Sequence, residues 1–437
     1  MLAAVAAGAL ATGVEDFVSA ELRRVSDSPV QSAVGTVIGQ ICPSGTIITD
    51  ADLQARCDEI AVAGVVNPAA SKLPGVRDAL QAMGDEEAAV VATSKVDGKG
   101  AQVDAIGQRL SALRAGGGVT GGVVQRANGF DWAGGAAGDG AAAPWGFWVS
   151  GMYANSDRDT TAREAGFEAD DYGVTFGVDY AVSDMLVLGL AGGYRNTDAD
   201  IDNNGGKLDS DSYSVFAYWS LYPSDNFFVD ATVGYTNSDH DQERNIIYSI
   251  AAVGGGTTTV NNTALSDTDS DEWSASVAAG RRYDFGNWAL TPQARFEYAD
   301  VEIDGFTESM ANTAAAGAGL ALQVASQSYE TMQTAAGATL GTHFDTSWGA
   351  VFPEISFEYV HEFKNNNDPV RSFFVNDSSR TTIVLLTDRP DRNFFNVGAG
   401  LSTAFSDSLS GYVRYQGLFG YRDLDVHMVE VQLRATF

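Results

Sequence analysis

Val429-Glu430-Val431-Gln432-Leu433-Arg434-Ala435-Thr436-Phe437 closes the chain, and its reading decides the fold. Val429, Val431, Leu433, Ala435 and Phe437 alternate with Glu430, Gln432, Arg434 and Thr436. A period of two places one set on each face of a β-strand. The same alternation recurs upstream. Phe227, Val229, Ala231, Val233 and Tyr235 oppose Phe228, Asp230, Thr232 and Gly234. Leu290, Pro292, Ala294, Phe296 and Tyr298 oppose Gln293, Arg295 and Glu297, and Pro353, Ile355, Phe357 and Tyr359 oppose Glu354, Ser356 and Glu358. Pro292 and Pro353 fall inside these runs, which predicts a bulge or the start of a strand at each.

Worked outward, the pattern yields twelve strands, near 145–156, 171–183, 185–196, 210–222, 226–238, 270–283, 287–300, 328–344, 348–362, 391–405, 409–419 and 425–437. Short turns near Ser183-Asp184, Pro223-Ser224-Asp225, Phe285-Gly286, Thr346-Ser347 and Ser406-Asp407 alternate with long connections, the longest near 239–269 and 363–390. A soluble sandwich also alternates, with its apolar face inward. An even strand count with all long loops at one end instead suits a closed antiparallel transmembrane barrel. Ions on the polar face and aromatics ending the apolar face (Tyr194, Tyr235, Tyr298, Tyr359) suit a wet or plugged lumen and an interfacial girdle.

Before Gly116 the texture is helical, over Asp52–Ala63 and Val76–Met83, and glycines then cluster over 116–140 as in a linker. Met1–Gly13 has the apolar character of half a secretory signal but lacks its basic start. No apolar run later in the chain is long enough for a transmembrane helix. Cys42 and Cys57 allow one intramolecular disulfide, which an oxidising compartment would form. The net charge of −31 argues against nucleic acid. Two Cys and four dispersed His argue against a zinc cluster, and no P-loop or G-x-S-x-G appears, so no cofactor, metal or enzymatic chemistry is expected. Two weaker patterns are set against a solvated acidic loop. Asp198, Asp200, Asp202 and Asp209 loosely follow a calcium loop, with Asn203 in the glycine position. His240 between Asp239 and Asp241 invites a barrel-rim hydrolase.

The chain from 145 to 437 resembles the β-domain of autotransporters, the type V secretion proteins of Gram-negative bacteria. The resemblance is carried by Leu290-Thr-Pro-Gln-Ala-Arg-Phe-Glu-Tyr298, Phe352-Pro-Glu-Ile-Ser-Phe-Glu-Tyr359, Val397-Gly-Ala-Gly-Leu401, Gly411-Tyr-Val-Arg-Tyr415 and the final strand. It implies an all-β, twelve-stranded outer-membrane barrel that anchors or exports its own N-terminal segment. Residues 1–97 would form a short helical, passenger-like region, 98–144 a linker helix and Gly/Ala-rich linker, and 145–437 the barrel. Val429, Val431, Leu433, Ala435 and Phe437 look like the signal read by the barrel assembly machinery. The implied partners are outer-membrane lipid, that machinery, periplasmic chaperones and the chain's own N-terminal segment, with the protein a monomer.

The family's threaded linker helix has a candidate here. Val103, Ile106, Leu110 and Leu113 fall at intervals of 3, 4 and 3, on one helical stripe. Arg109 and Arg114 lie beside it, and the expected lumen residues are Asp230, Arg295, Glu297, Glu354, Glu358, Arg414, Glu430 and Arg434. Arg–carboxylate pairs would then plug the pore. The alternative is an ordinary amphipathic helix of the N-terminal region. The family pattern is incomplete. The N-terminal region has no repeat of about 20–50 residues, and no Asn-Asn pair lies in Ala101–Trp145, so autoproteolytic release is not carried over. The competing function is a passive porin with a periplasmic N-terminal region.

Overall fold

A computed structural model describes residues 13–436 except 45–46, 67, 87, 89, 91–105, 108–109, 111–122, 127–128, 133–144, 184, 225, 347–348, 365–368 and 407–408. Twelve strands run in chain order: β1 Trp145–Arg158, β2 Phe167–Ser183, β3 Leu186–Ile201, β4 Gly206–Ser224, β5 Phe227–Ala251, β6 Thr257–Arg281, β7 Trp288–Ile303, β8 Gln327–Thr342, β9 Gly349–Glu362, β10 Asn393–Ala404, β11 Leu409–Phe419 and β12 Leu424–Thr436. Each pairs antiparallel with its sequence neighbours, and β12 pairs with β1 from Thr436↔Gly146 to Leu424↔Arg158, which closes the sheet. Closure leaves no barrel edge to aggregate.

The burial is inside out. On β12 the apolar Val429, Val431 and Leu433 are 41%, 51% and 50% exposed, while Glu430, Gln432 and Arg434 are 1%, 3% and 8% exposed. Apolar surface on this scale stays exposed only where lipid covers it. The outward band is flanked by aromatics. Trp145, Trp219 and Trp288 lie at the short-turn end, and paired rings such as Tyr153–Tyr172, Tyr194–Tyr213 and Tyr235–Trp273 lie toward the long-connection end, 5.1 to 5.4 Å between centroids. A Tyr-x-Asn pattern repeats on these up-strands. Tyr153 and Asn155 both donate to Asp170, Tyr194 and Asn196 to Asp211, and Tyr235 and Asn237 to Asp271. Each phenol thus keeps its ring in the apolar band and its hydroxyl on the polar side.

Two expectations are corrected. The connection expected over 239–269 is mostly strand: β5 and β6 continue to a turn at 252–256, where Gly255 and Gly256 take positive φ (96° and 89°). From Thr236 to Asn245, above the girdle, both faces of β5 are polar, so the apolar–polar alternation that marks a strand in lipid is absent there. Pro292 and Pro353 form no bulge. Pairing of β7 with β6 stops at Gln293, and pairing of β9 with β8 stops at Glu354. Each proline therefore sits one residue beyond a ladder, where a missing N–H costs nothing. Register shifts occur instead at Ala181/Ser183 and Leu221/Ser224, beside short turns.

Among the described residues, four α-helices stand ahead of the lumen segment: α1 Val14–Val25, α2 Pro29–Ile41, α3 Ala51–Ala61 and α4 Leu73–Ala82. Ser28 caps α2 by accepting from the Gln31 amide, with Pro29 at the first turn, and Asp50 caps α3 by accepting from the Asp52 and Leu53 amides. Cys42 and Cys57 form a disulfide across 15 residues, both buried. The helices do not close a core among themselves. Leu22, Val34, Ile38, Ile60 and Leu80 share one with Ile246, Tyr248 and Ile250 of β5, Val260 and Ala264 of β6, and residues of the long connections after β7 and β9. Those two connections contribute a four-stranded sheet of Phe306–Thr307, Leu322–Val324, Pro369–Phe374 and Ile383–Leu386. Within the Gly/Ala-rich stretch before β1, Val123–Arg126 pairs with Gly129–Trp132 as a short hairpin.

Candidate functional site

The lumen wall is built from every second residue of each strand. On β7, Arg295 meets Glu297 on its own strand at 3.4 Å and Glu358 on β9 at 3.3 Å, and Gln293 donates to Glu358 at 2.8 Å. On the adjacent wall Arg414 donates to Ser356 (2.8 Å) and sits directly across from Glu430, which accepts from Ser150 (2.6 Å). Tyr412 donates to Glu354 at 3.3 Å. These charges are brought together across β7 to β12. Asp230 lies apart on β5, accepting from Ser220 at 2.5 Å. Arg434 is buried near the end of β12, beside Ser410 and Trp148 in register.

Several inward groups were not singled out from the sequence. Asp171 and Arg195 approach to 3.8 Å, with Thr197 donating to Asp171. The Trp148 indole donates to Tyr218 (2.8 Å), whose hydroxyl reaches Asp179 at 3.3 Å. The available signal was register: each is in phase with a neighbouring inward residue once the strand is placed.

Described residues of the pre-barrel segment lie within the barrel. Val90 packs at the long-connection end against Phe167, Ala199, Ile201, Leu208 and Val301. Ile106 and Leu110 pack toward the short-turn end against Trp148, Val187, Ala191, Phe216 and Tyr218. Ile106, Gly107 and Leu110 are helical. Val103, Arg109, Leu113, Arg114 and Phe437 lie outside the described residues. Val429, Val431 and Leu433 face outward on β12, and Ala435 pairs with Leu409 and Phe147.

The long-connection mouth carries two buried charge groups. Arg158 pairs with Glu164 at 2.8 Å, and Glu164 also accepts from the Asp388 amide at 2.8 Å. Burial pushes Glu164 up, against the pull of Arg158. Glu86 is pushed up to about 7 by burial, opposed by a hydrogen bond from Gln81 and reinforced by the charge of Glu164. At the same level of the wall, Arg244 of β5 makes a two-pronged pair with Glu308, at 2.7 and 2.6 Å, both side chains almost fully buried.

The hydrolase pattern does not assemble. His240 turns inward between Ser210 (2.7 Å) and Ser270 (2.8 Å), whereas Asp239 and Asp241 share the opposite, outer face. The strand residues around it are paired in the ladders on both sides. The calcium-like run is a β3–β4 hairpin turn in which Asp200 pairs with Lys207 at 3.0 Å. Among the described residues no three His, Cys, Asp or Glu side chains converge to hold a metal ion.

A closed twelve-stranded barrel with an inverted polarity and a charged lumen defines an outer-membrane β-barrel. Residues 147–416 match the family model of the autotransporter β-domain, and the chain belongs to that family. The translocator domain of the autotransporter NalP from Neisseria meningitidis is similar in fold, with a TM-score of 0.53 and 15% identity over 78% of this chain and 98% of that one. The β-domain of the Bordetella autotransporter BrkA gives 0.45 at 16% identity, over 67% of this chain and 100% of that one, a likeness that adds no further weight. No curated protein matches the sequence significantly. The barrel is accordingly an outer-membrane translocator, a transport barrel of the type V secretion class, and the porin alternative has less support.

Proposed function

We propose that the chain carries its own residues 1–97 to the cell surface, and that residues 98–144 run back through the lumen to β1. The observation that supports this is the placement of Val90 at one end of the lumen and of Ile106 and Leu110 toward the other, on the way to Trp145 at the short-turn end. Long loops of such barrels are extracellular and short turns periplasmic. A segment that lies with the long loops and begins its barrel at the short turns has to pass between them. The charged lumen suits a polar backbone in transit, because every inward strand position that is polar competes with water for it. The final strand is read as the signal for the barrel assembly machinery, with periplasmic chaperones holding the chain beforehand.

Protease shaving of intact cells with an epitope tag before Cys42 tests the proposal. Loss of the tag with the barrel protected is expected. A tag that survives until the outer membrane is permeabilised would place the N-terminal region in the periplasm and return the porin reading.

A further inference from the structure

The external connections of the barrel do more than close hairpins. Arg244, on the part of β5 that rises above the aromatic girdle, is bound two-pronged by Glu308 and also donates to the carbonyls of Ala82 (3.0 Å), Gly84 (3.4 Å) and Leu320 (3.2 Å). Ala82 ends α4, so a buried barrel guanidinium sits at the negative end of a helix from the N-terminal region. Glu308 is held in turn by the Leu322 amide at 2.7 Å. On the other flank Asp52 of α3 accepts from the Gly317 and Gly319 amides, at 2.9 and 3.0 Å. Between them the chains add backbone to backbone: the Thr49 amide donates to Asn376 (3.0 Å) and the Ser378 amide to Ile47 (2.8 Å). Gly75 of α4 lies so close to the Ser249 carbonyl that a Cβ there would stand 2.4 Å away. The apolar core beneath these contacts is common to both parts.

We infer that the extracellular loops and the raised β5–β6 hairpin form a docking platform whose partner is the chain's own N-terminal helical region, retained without its covalent link. The inference rests on the reading that residues 1–97 are carried to the long-loop side. Its physical basis is that separation would expose a shared apolar core and strip the buried Arg244 and the half-buried Asp52 of part of their hydrogen bonding. Severing the linker therefore does not release the N-terminal region; the surface of the barrel is its anchor.

The test uses the full chain with a site-specific protease sequence in a long flexible insert directly after Glu86, which is partly exposed and precedes the residues inside the barrel, and the tag before Cys42. The purified protein in detergent is cut, cleavage is verified on a denaturing gel, and the products are run by gel filtration. Co-migration of the tagged fragment with the barrel is expected, and prompt separation overturns the inference. Glu308→Gln keeps the side-chain shape and loses the charge; it is expected to speed fragment release by about tenfold or more, because a buried ion is left without its partner. Asp52→Ala, at the rim, is expected to speed release with the barrel intact. Release rates equal to that of the unaltered chain in both variants overturn the platform. Shaving of intact cells separates the two ideas. A retained fragment with a protected tag keeps the docking and removes surface display, whereas a shaved tag with a released fragment does the reverse.

Discussion

At the scale of single residues, several ionisable side chains turned inward at the lumen wall and the mouth meet an opposite charge. Arg295 has Glu358, Asp171 has Arg195, and Arg244 has Glu308. Glu86 differs: it is partly buried, and the charge of Glu164 that acts on it has the same sign. The consequence is a pH dependence. Its folded value, about 7, lies above the ordinary 4.5, so the folded state holds a proton across that interval and the unfolded state does not. The favourable contribution is full below 4.5 and is lost as pH rises to about 7. Thermal unfolding of the N-terminal region, followed by its own tryptic susceptibility, should therefore occur at a lower temperature at pH 7.5 than at pH 5. Glu86→Gln should flatten that difference; an undiminished slope in the variant would assign it to another group.

At the scale of elements, period-two alternation made β7, β9 and β12 readable from the sequence, because lipid on one side and a wet lumen on the other force opposite polarity at successive residues. The upper half of β5 and β6 was not readable, because above the membrane both faces are wet or buried against protein. The outer face there carries a row of direct cross-strand neighbours: Asp170↔Asp198, Asp198↔Asp209, Asp209↔Asp241 and Asp241↔Asp267. Like charges directly opposite on a sheet repel. Asp209→Asn, in the middle of the row, should raise the unfolding midpoint of the purified barrel slightly at low salt, and the gain should vanish at high salt where the repulsion is screened. A gain that persists in high salt would point to a cause other than charge. Of the site residues, the wall charges on β7, β9, β11 and β12 were legible because their strands were. Arg244 and Glu308 were not, since the two are 64 residues apart and only the rise of β5 above the girdle brings them together.

At the scale of the whole molecule, a helical region, a segment inside the lumen and a closed barrel share one path. If residues 98–126 occupy the pore, their deletion should raise single-channel conductance severalfold in planar bilayers, because the lumen wall that Ile106 and Leu110 cover becomes water-filled. An unchanged conductance would remove the plug and leave these residues as part of an ordinary amphipathic helix. The docking of α1 to α4 onto the loops adds a second closure above the first.

The sequence by itself determined the strand count, the short-turn and long-loop ends, the two faces of each membrane strand and the family, because lipid imposes a local, periodic pattern that one chain displays without any partner in view. Only the tertiary structure decided that β5 and β6 rise far above the membrane, that both prolines sit just past a ladder, and that the N-terminal helices complete their core on the barrel's own loops. Those features depend on contacts between residues tens to hundreds of positions apart, and packing between distant segments leaves no period in the sequence to read.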